Sequence, residues 1–323
     1  MSPEAGRGLE LVAIAAMDEI PQLIDEFAGT LLDESSVYSL EFSESLARRL
    51  IDKAEDPGEI TWALDVLAVI LTKAQRLEEA LQVSATVCQM LDGLAADDPS
   101  RYGLMLATAA QNLGNILTAL GILEEAFGSY QVSIGILEKV ESEESSTSTK
   151  LGLAEAKHNA SVALATAGHL DEALRWSREA CALVPRSESV TDVRIAKNLG
   201  YFSRHLATLL YNLKRSPEAV EPAEEAIAVF RECAAVDPDV FEIELARSLE
   251  ILAVVSAEIG VPDFGSDRAE EALRLKRSLH SSRPHIMQAE LVRSLRVSIK
   301  ILELQGRMEE ARSYFKEIER LES

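Results

Sequence analysis

Apolar positions recur at helical spacing along most of the chain. Between Tyr102 and Leu120 they fall three and four residues apart, and they do so again from Ala126 to Val140. That period belongs to helices that turn one face inward. No convincing run alternates apolar and polar residues in the manner of a strand. Breakers punctuate the helical stretches at Pro57, Asp98-Pro99, Pro185, Asp237-Pro238 and Arg283-Pro284. Where one breaker is missing, a Glu/Ser/Thr-rich stretch from Glu141 to Thr149 predicts a solvated loop. The pattern predicts an all-α protein.

The helices come in pairs with a fixed period. A short motif, a small or polar residue followed by linkers and then acid-Ala, reads Gln75-Arg-Leu-Glu-Glu-Ala80, Gly121-Ile-Leu-Glu-Glu-Ala126 and Gly168-His-Leu-Asp-Glu-Ala173. It returns as Lys214-Arg-Ser-Pro-Glu-Ala219, as a weaker Gly260-Val-Pro-Asp-Phe-Gly265, and as Gly306-Arg-Met-Glu-Glu-Ala311. Successive anchors lie 46, 47, 46, 46 and 46 residues apart, a register that marks an internal repeat. The anchor glycine suits a helix C-terminus that must turn. The acids after it suit the first turn of the next helix, where they meet the positive end of the macrodipole. Ala80, Ala126, Ala173, Ala219, Gly265 and Ala311 hold one position of the second helix. Ala68, Gly114, Ala163, Ala207 and Ala253 are the small residues of the first, some seven residues before the anchor. Small side chains on both helices predict a close approach, which repeated packing needs to build a continuous core.

Asn112-Leu-Gly-Asn115 followed by Gly121-x-x-x-x-Ala126, and its copies, resemble the tetratricopeptide repeat family. Asn159-Ala-Ser before Gly168-His-Leu-Asp-Glu-Ala173, ending at Pro185, matches best. The unit is longer than the family's usual length of about 34 residues. It looks like the long-helix variants found in kinesin light chains and in large microbial sensor proteins. Armadillo and HEAT repeats have a similar period but do not call for this Gly/Ala grid. The resemblance implies a right-handed α-α superhelical solenoid of tetratricopeptide-like helix pairs. Residues 57–323 would form six repeats, the fifth departing from the pattern at Pro262 and Gly265. Residues 1–56 would form an N-terminal helical cap from helices at Leu9–Gly29 and Val37–Ala54. Gly29 lies 46 residues before Gln75, as in a degenerate repeat, but Glu34 stands where the small residue belongs.

Composition changes this picture in three ways. A length of 323 residues predicts two ordinary domains, whereas the period makes length a count of repeats. Hydrophobic residues make up 47% and aromatics only 5%, so the core is built from Ala, Leu, Val and Ile. The net charge is −22, which excludes a general nucleic-acid binder and opposes docking on anionic lipid. The charge is uneven: residues 1–185 carry 30 acids and 12 bases, and residues 186–323 carry 24 acids and 20 bases. No apolar run approaches the length that spans a bilayer. Leu9 to Met17, broken by Glu10, reads as a buried helix face rather than a secretory leader. Scattered Cys88, Cys181 and Cys233 fit a reducing compartment, so the expected location is cytoplasmic.

Catalytic chemistry is not apparent. None of the five histidines forms a His-Glu-x-x-His pair, and His280 and His285 flank a loop at Arg283-Pro284. Cys88 and Cys181 occupy equivalent positions that Ile134, Ile227 and Leu273 fill elsewhere, which marks them as core residues. Most carboxylate pairs recur with the repeat as helix-start acids or as a solvated face. The expectation is a protein that is not an enzyme and needs no cofactor or metal.

The resemblance implies that the first helix of each pair lines a concave face where ligands bind. Offsets −13, −10, −6 and −3 from each anchor share one helical face. They include Gln111 and Asn115 in the second unit, His158 in the third, and Tyr201, Arg204, Thr208 and Tyr211 in the fourth. Arg247 follows in the fifth, and Arg293, Arg296 and Lys300 in the sixth. Asn115 stands where peptide-binding members carry an asparagine that holds ligand backbone. Five inward cations suit carboxylates, and the tyrosines supply rigid contact area. The expected function is a scaffold or adaptor that binds a protein or peptide partner with an acidic segment, without nucleic acid or membrane. The alternatives are mutual pairing of the arginines with Glu250, Glu303 and neighbouring acids, a sensor for a small peptide or metabolite that controls a separate effector, and a self-assembling structural protein. For the last, the C-terminal helix from Met308 to Leu321 offers Met308, Ala311, Tyr314, Phe315 and Ile318 to a second copy.

Overall fold

The computed structural model describes residues 40–186 and 192–322. The expected helix at Leu9–Gly29 lies outside them. Among the described residues there are thirteen α-helices and no strand: α1 (Leu40–Lys53), α2 (Pro57–Lys73), α3 (Leu77–Asp97), α4 (Pro99–Ala119), α5 (Leu123–Glu143), α6 (Thr147–Thr166), α7 (Leu170–Leu183), α8 (Val193–Asn212), α9 (Ser216–Val236), α10 (Pro238–Glu258), α11 (Pro262–Ser282), α12 (Pro284–Leu304) and α13 (Met308–Glu322). They form two compact units that divide between Ser145 and Ser146. The first holds α1–α5 and the second α6–α13.

Each anchor marks the left-handed residue of one turn. Gly121, Gly168, Gly260 and Gly306 have φ between 74° and 88°, and Gln75 and Lys214 adopt φ of 61° and 60° despite their Cβ atoms. The hydrogen bonds are those of a Schellman motif. Gly121 N–H donates to Thr118 O at 3.0 Å, and Ile122 N–H to Leu117 O at 2.9 Å, with equivalent bonds at the other five anchors. The motif satisfies carbonyls at the end of the first helix and leaves only three residues between it and the second. In three pairs the residue after the anchor is arginine, which clamps a first-turn acid: Arg76 to Glu79, Arg215 to Glu218 and Arg307 to Glu310.

So short a turn forces the paired helices together, and the small residues are where they cross. Ala80, Ala126, Ala173, Ala219 and Ala311 are buried on the second helices, opposite buried Ala68, Ala207 and Ala253 on the first. A Cβ on Gly265 would sit 2.6 Å from the Ala253 carbonyl oxygen. In the third pair the strict register falls on Ser161 rather than Ala163, and its hydroxyl donates to the Ala173 carbonyl at 2.7 Å. Gly114 makes room instead for Tyr130, a fully buried ring whose hydroxyl donates to Asn115 Oδ1 at 2.9 Å.

Single residues join successive pairs before α4, α10 and α12, whereas nine separate α7 from α8. Prolines open α2, α4, α10, α11 and α12, where the missing N–H costs no helical bond. Asp56 and Asp98 cap two of these starts by accepting from Gly58 N–H and Arg101 N–H. The Glu141–Thr149 stretch is mostly helix: α5 runs to Glu143 and α6 starts at Thr147 behind the Ser146 cap. Charged side chains at helix ends tolerate helix well when the next turn needs only three residues.

First helices of successive pairs also touch one another, α2 on α4 in the first unit and α6, α8, α10 and α12 in turn in the second. In each unit they make one shared wall.

Two substitutions test this construction by urea denaturation. Gly114→Ala would place a Cβ 2.5 Å from the Tyr130 ring and should destabilise the fold by about 1–3 kcal/mol. Gln75→Gly relieves a left-handed backbone and should stabilise it by up to about 1 kcal/mol.

Candidate functional site

The wall of the first unit is nearly free of charge. Gln111 is half-buried and Asn115 exposed on α4, a helix that carries no ionisable acid or base after Arg101 except the phenol of Tyr102. The Asn115 oxygen is engaged by Tyr130, so what it can offer a guest is its amide NH2. Across from α4, Asp65 on α2 accepts from Asn112 Nδ2 at 2.8 Å. Burial pushes the Asp65 carboxyl up to about 6 against that hydrogen bond.

In the second unit the wall is heavily charged. Tyr201, Arg204, Thr208 and Tyr211 follow one face of α8, Arg247 lies on α10, and Arg293, Arg296 and Lys300 lie on α12. Carboxylates rise between them. Arg204 reaches Glu244 at 3.1 Å, and Arg247 reaches Glu244 and Glu290 at 2.7 Å each. Arg293 lies 3.7 Å from Glu290. Beneath them the fully buried Lys276 of α11 donates to Glu250 at 2.7 Å and to Glu290 at 2.9 Å, and Ser294 also donates to Glu250. Burial alone would raise the Glu290 carboxyl, but hydrogen bonds from Arg247 and Lys276 hold it down at about 2. Arg204 goes the other way: burial lowers its affinity for the proton, and Glu244 only partly restores it. Its Nε–H finds no acceptor among the described residues.

The remaining cations are more exposed. Arg296 pairs with Glu322 at 3.2 Å. Lys300 donates to the Tyr211 hydroxyl at 2.9 Å, although α10 lies between their helices. That contact spans two repeats. Thr208 turns its hydroxyl proton back to the Arg204 carbonyl at 2.8 Å.

His158 is packed between neighbours. Its ring stacks on Phe202 at 4.4 Å between centroids and meets His205 edge-on at 5.0 Å. Ser161 commits its proton to the Ala173 carbonyl, so the 3.0 Å contact with His205 has the histidine Nε2–H as donor. Burial lowers both imidazoles, His158 well below its ordinary value and His205 to about 4, helped by the Arg204 charge. Both are therefore neutral.

Reading the four offsets of the helical face missed most of the acids. Glu244 and Glu290 lie one turn earlier, sixteen residues before their anchors, on the same stripe. Lys276 also left a trace. The residue sixteen after the anchor is Leu91, Leu137, Val184 and Phe230 in the preceding repeats, all buried, and a lysine in the fifth. A cation in an apolar series signals a buried anionic partner.

Burial pushes the Cys88 and Cys181 thiols up to about 12, which removes their nucleophilic form at neutral pH. Among the described residues no group of three His, Cys, Asp or Glu side chains could hold a metal ion. No described helix is long and apolar enough to cross a membrane.

No protein-family model matches the chain. No curated protein matches it either. Solved structures do. BtubC (BKLC) from P. vanneervenii superposes with a TM-score of 0.61 at 16% identity, covering 76% of this chain and 91% of its own. The apo form of RapI superposes with a TM-score of 0.66 at 14% identity, over 93% and 76% of the two chains. A Podosopora anserina chain of nearly identical TPR-like repeats, of the kinesin light chain kind, gives 0.52 at 17% identity, over 66% and 92%. At these identities the likeness is one of fold: helix pairs of the tetratricopeptide type.

Two measurements probe the charged wall. Lys276→Met removes the cation between two carboxylates and should cost about 3–5 kcal/mol in urea denaturation, with Glu250→Gln in the same chain recovering part of it. The neutral histidines make stability fall as pH drops from 6.5 towards 4.5, because the unfolded chain takes up protons that the folded chain refuses. Asp65, with its raised carboxyl, acts with the opposite sign. The comparison with His205→Gln isolates the effect: the variant should lose on the order of 2 kcal/mol of that pH dependence.

Proposed function

We propose that this chain is a non-enzymatic protein-interaction scaffold whose second unit binds an acidic segment of a partner along the wall formed by α6, α8, α10 and α12. The reading takes residues 57–323 as six repeats of tetratricopeptide type. One observation carries it. The connected ionic set on that wall holds four cations, Arg204, Arg247, Lys276 and Arg293, against three carboxylates, Glu244, Glu250 and Glu290. Arg204 ends the set, and its Nε–H lacks an acceptor among the described residues, as the neighbouring Glu244 Oε2 lacks a hydrogen-bond donor.

A partner carboxylate would fill that place. An arginine fork can hold Glu244 through one edge and a second carboxylate through Nε and the other. Tyr201 lies beside it, with the Arg204 guanidinium 5.8 Å from its ring centroid, and Tyr211 lies two turns further along α8. Tyrosines in such positions give contact area at low entropy cost. Lys300 and Arg296 would meet further acids at the rim, where screening limits each to a small contribution. Pairing within the wall also orients the arginines before a guest arrives, which reduces the entropy lost on binding.

The test uses fluorescence anisotropy with labelled twelve-residue peptides rich in Glu and Asp, alongside their Lys-rich and neutral counterparts. Acidic peptides should bind, and binding should weaken as salt rises. Arg204→Gln should weaken it by roughly ten- to a hundredfold while far-UV circular dichroism stays unchanged. If no acidic peptide binds, or if Arg204→Gln binds as the parent does, the reading is wrong.

A further inference from the structure

The first unit holds a second kind of site, independent of the acidic-segment reading. Between α2 and α4 lies a cavity of about 220 Å³, lined by Thr61, Trp62 and Asp65 on one side and Leu104, Met105 and Thr108 on the other. Most of the lining is apolar. Trp62 and Leu104 stand at its edge, 40% and 48% exposed, large hydrophobic groups that are usually covered.

Asp65 is the only charged residue in the lining. Its Oδ2 accepts from Asn112, and its Oδ1 is shielded from solvent with no donor among the described residues. Burial makes the carboxyl hard to ionise, so a cation brought to it would be favoured. The nearest base on the facing helix, Arg101, is engaged by Asp56 at 3.2 Å. The exposed Thr108 hydroxyl offers an acceptor only, because its proton goes to the Leu104 carbonyl at 3.1 Å, while Thr61 is fully buried with its proton on the Pro57 carbonyl at 2.9 Å.

We infer that this cavity receives a lysine side chain from a bound peptide, its aliphatic stem against Trp62, Leu104 and Met105 and its ammonium on Asp65. The donor count decides lysine over arginine. An ammonium presents separate N–H groups to separate acceptors, and Asp65 Oδ1 and the exposed Thr108 hydroxyl supply two of them. A guanidinium fork needs both carboxylate oxygens, and Asn112 holds one of them. The indole face adds attraction for a cation, and the stem covers the exposed hydrophobic edge.

The experiment follows the Trp62 resonance by fluorine NMR in full-length protein labelled with 5-fluorotryptophan, the second signal being assigned with Trp176→Phe. The probes are blocked alanine pentapeptides with a central lysine, arginine, acetyl-lysine or norleucine. The lysine peptide should shift Trp62 saturably and leave Trp176 in place. Acetyl-lysine, norleucine and arginine peptides should bind at least about tenfold more weakly. Asp65→Asn, close in shape and freed of a buried charge, should fold normally and lose the preference for lysine. Thr108→Val should weaken lysine binding severalfold without altering norleucine binding. No saturable shift with the lysine peptide would mean that the cavity holds water only and would overturn the proposal. Equal binding of norleucine or arginine, or an unchanged preference in Asp65→Asn, would overturn it as well. None of these outcomes bears on acidic peptides and Arg204, whose failure would be seen separately.

Discussion

The structure depends on one close approach, repeated. A left-handed residue ends each first helix, and two residues later the second begins, so the two axes have no room to separate. Only a small side chain fits on each helix where they cross. Gly265 and Ala253 show the limit, because even a methyl group on the glycine would strike a carbonyl oxygen. Once that contact is set, the rest of each helix is oriented. One face meets its partner, a second meets the neighbouring pair, and one stripe of the first helix is left to the shared wall.

That geometry explains why the two walls differ although their backbones repeat. In the first unit the stripe carries Trp62, Asp65, Thr108, Gln111 and Asn115, and a single buried acid acts without a cation. In the second the same stripe carries arginines that meet glutamates of the next helix. Pairing in the wall is lateral: Arg204 on α8 reaches Glu244 on α10, and Arg247 on α10 reaches Glu290 on α12. Each ion pair therefore ties successive repeats together while it holds an arginine in a fixed orientation. Lys276, fully buried, anchors the set from below.

Much of this was legible in the sequence. The six anchors read as turn residues, and all six adopt left-handed backbone, including Gln75 and Lys214, which lack the glycine. The small-residue grid read as a crossing and is one, with Ser161 in place of the expected Ala163. The Glu141–Thr149 stretch was less legible: its composition speaks of solvent, and solvent-facing residues still continue a helix. The acids at Glu244 and Glu290 and the lysine at 276 lay within reach of the repeat register, had it been followed one turn further. His158, in contrast, gave no sign that Phe202 and His205 would enclose it.

The sequence by itself determined the period, the turns and the places where helices touch, because these follow from local backbone preference and side-chain size, and every repeat states them again. Only the tertiary structure decided which charges meet and which remain unanswered. Arg247 and Glu290 are 43 residues apart and meet only because neighbouring pairs stack side by side. The buried Asp65 oxygen and the free Arg204 Nε–H likewise arise from what surrounds them. Hydration, and with it the tendency of a charged group to seek a partner, depends on the packing of distant segments that no local pattern encodes.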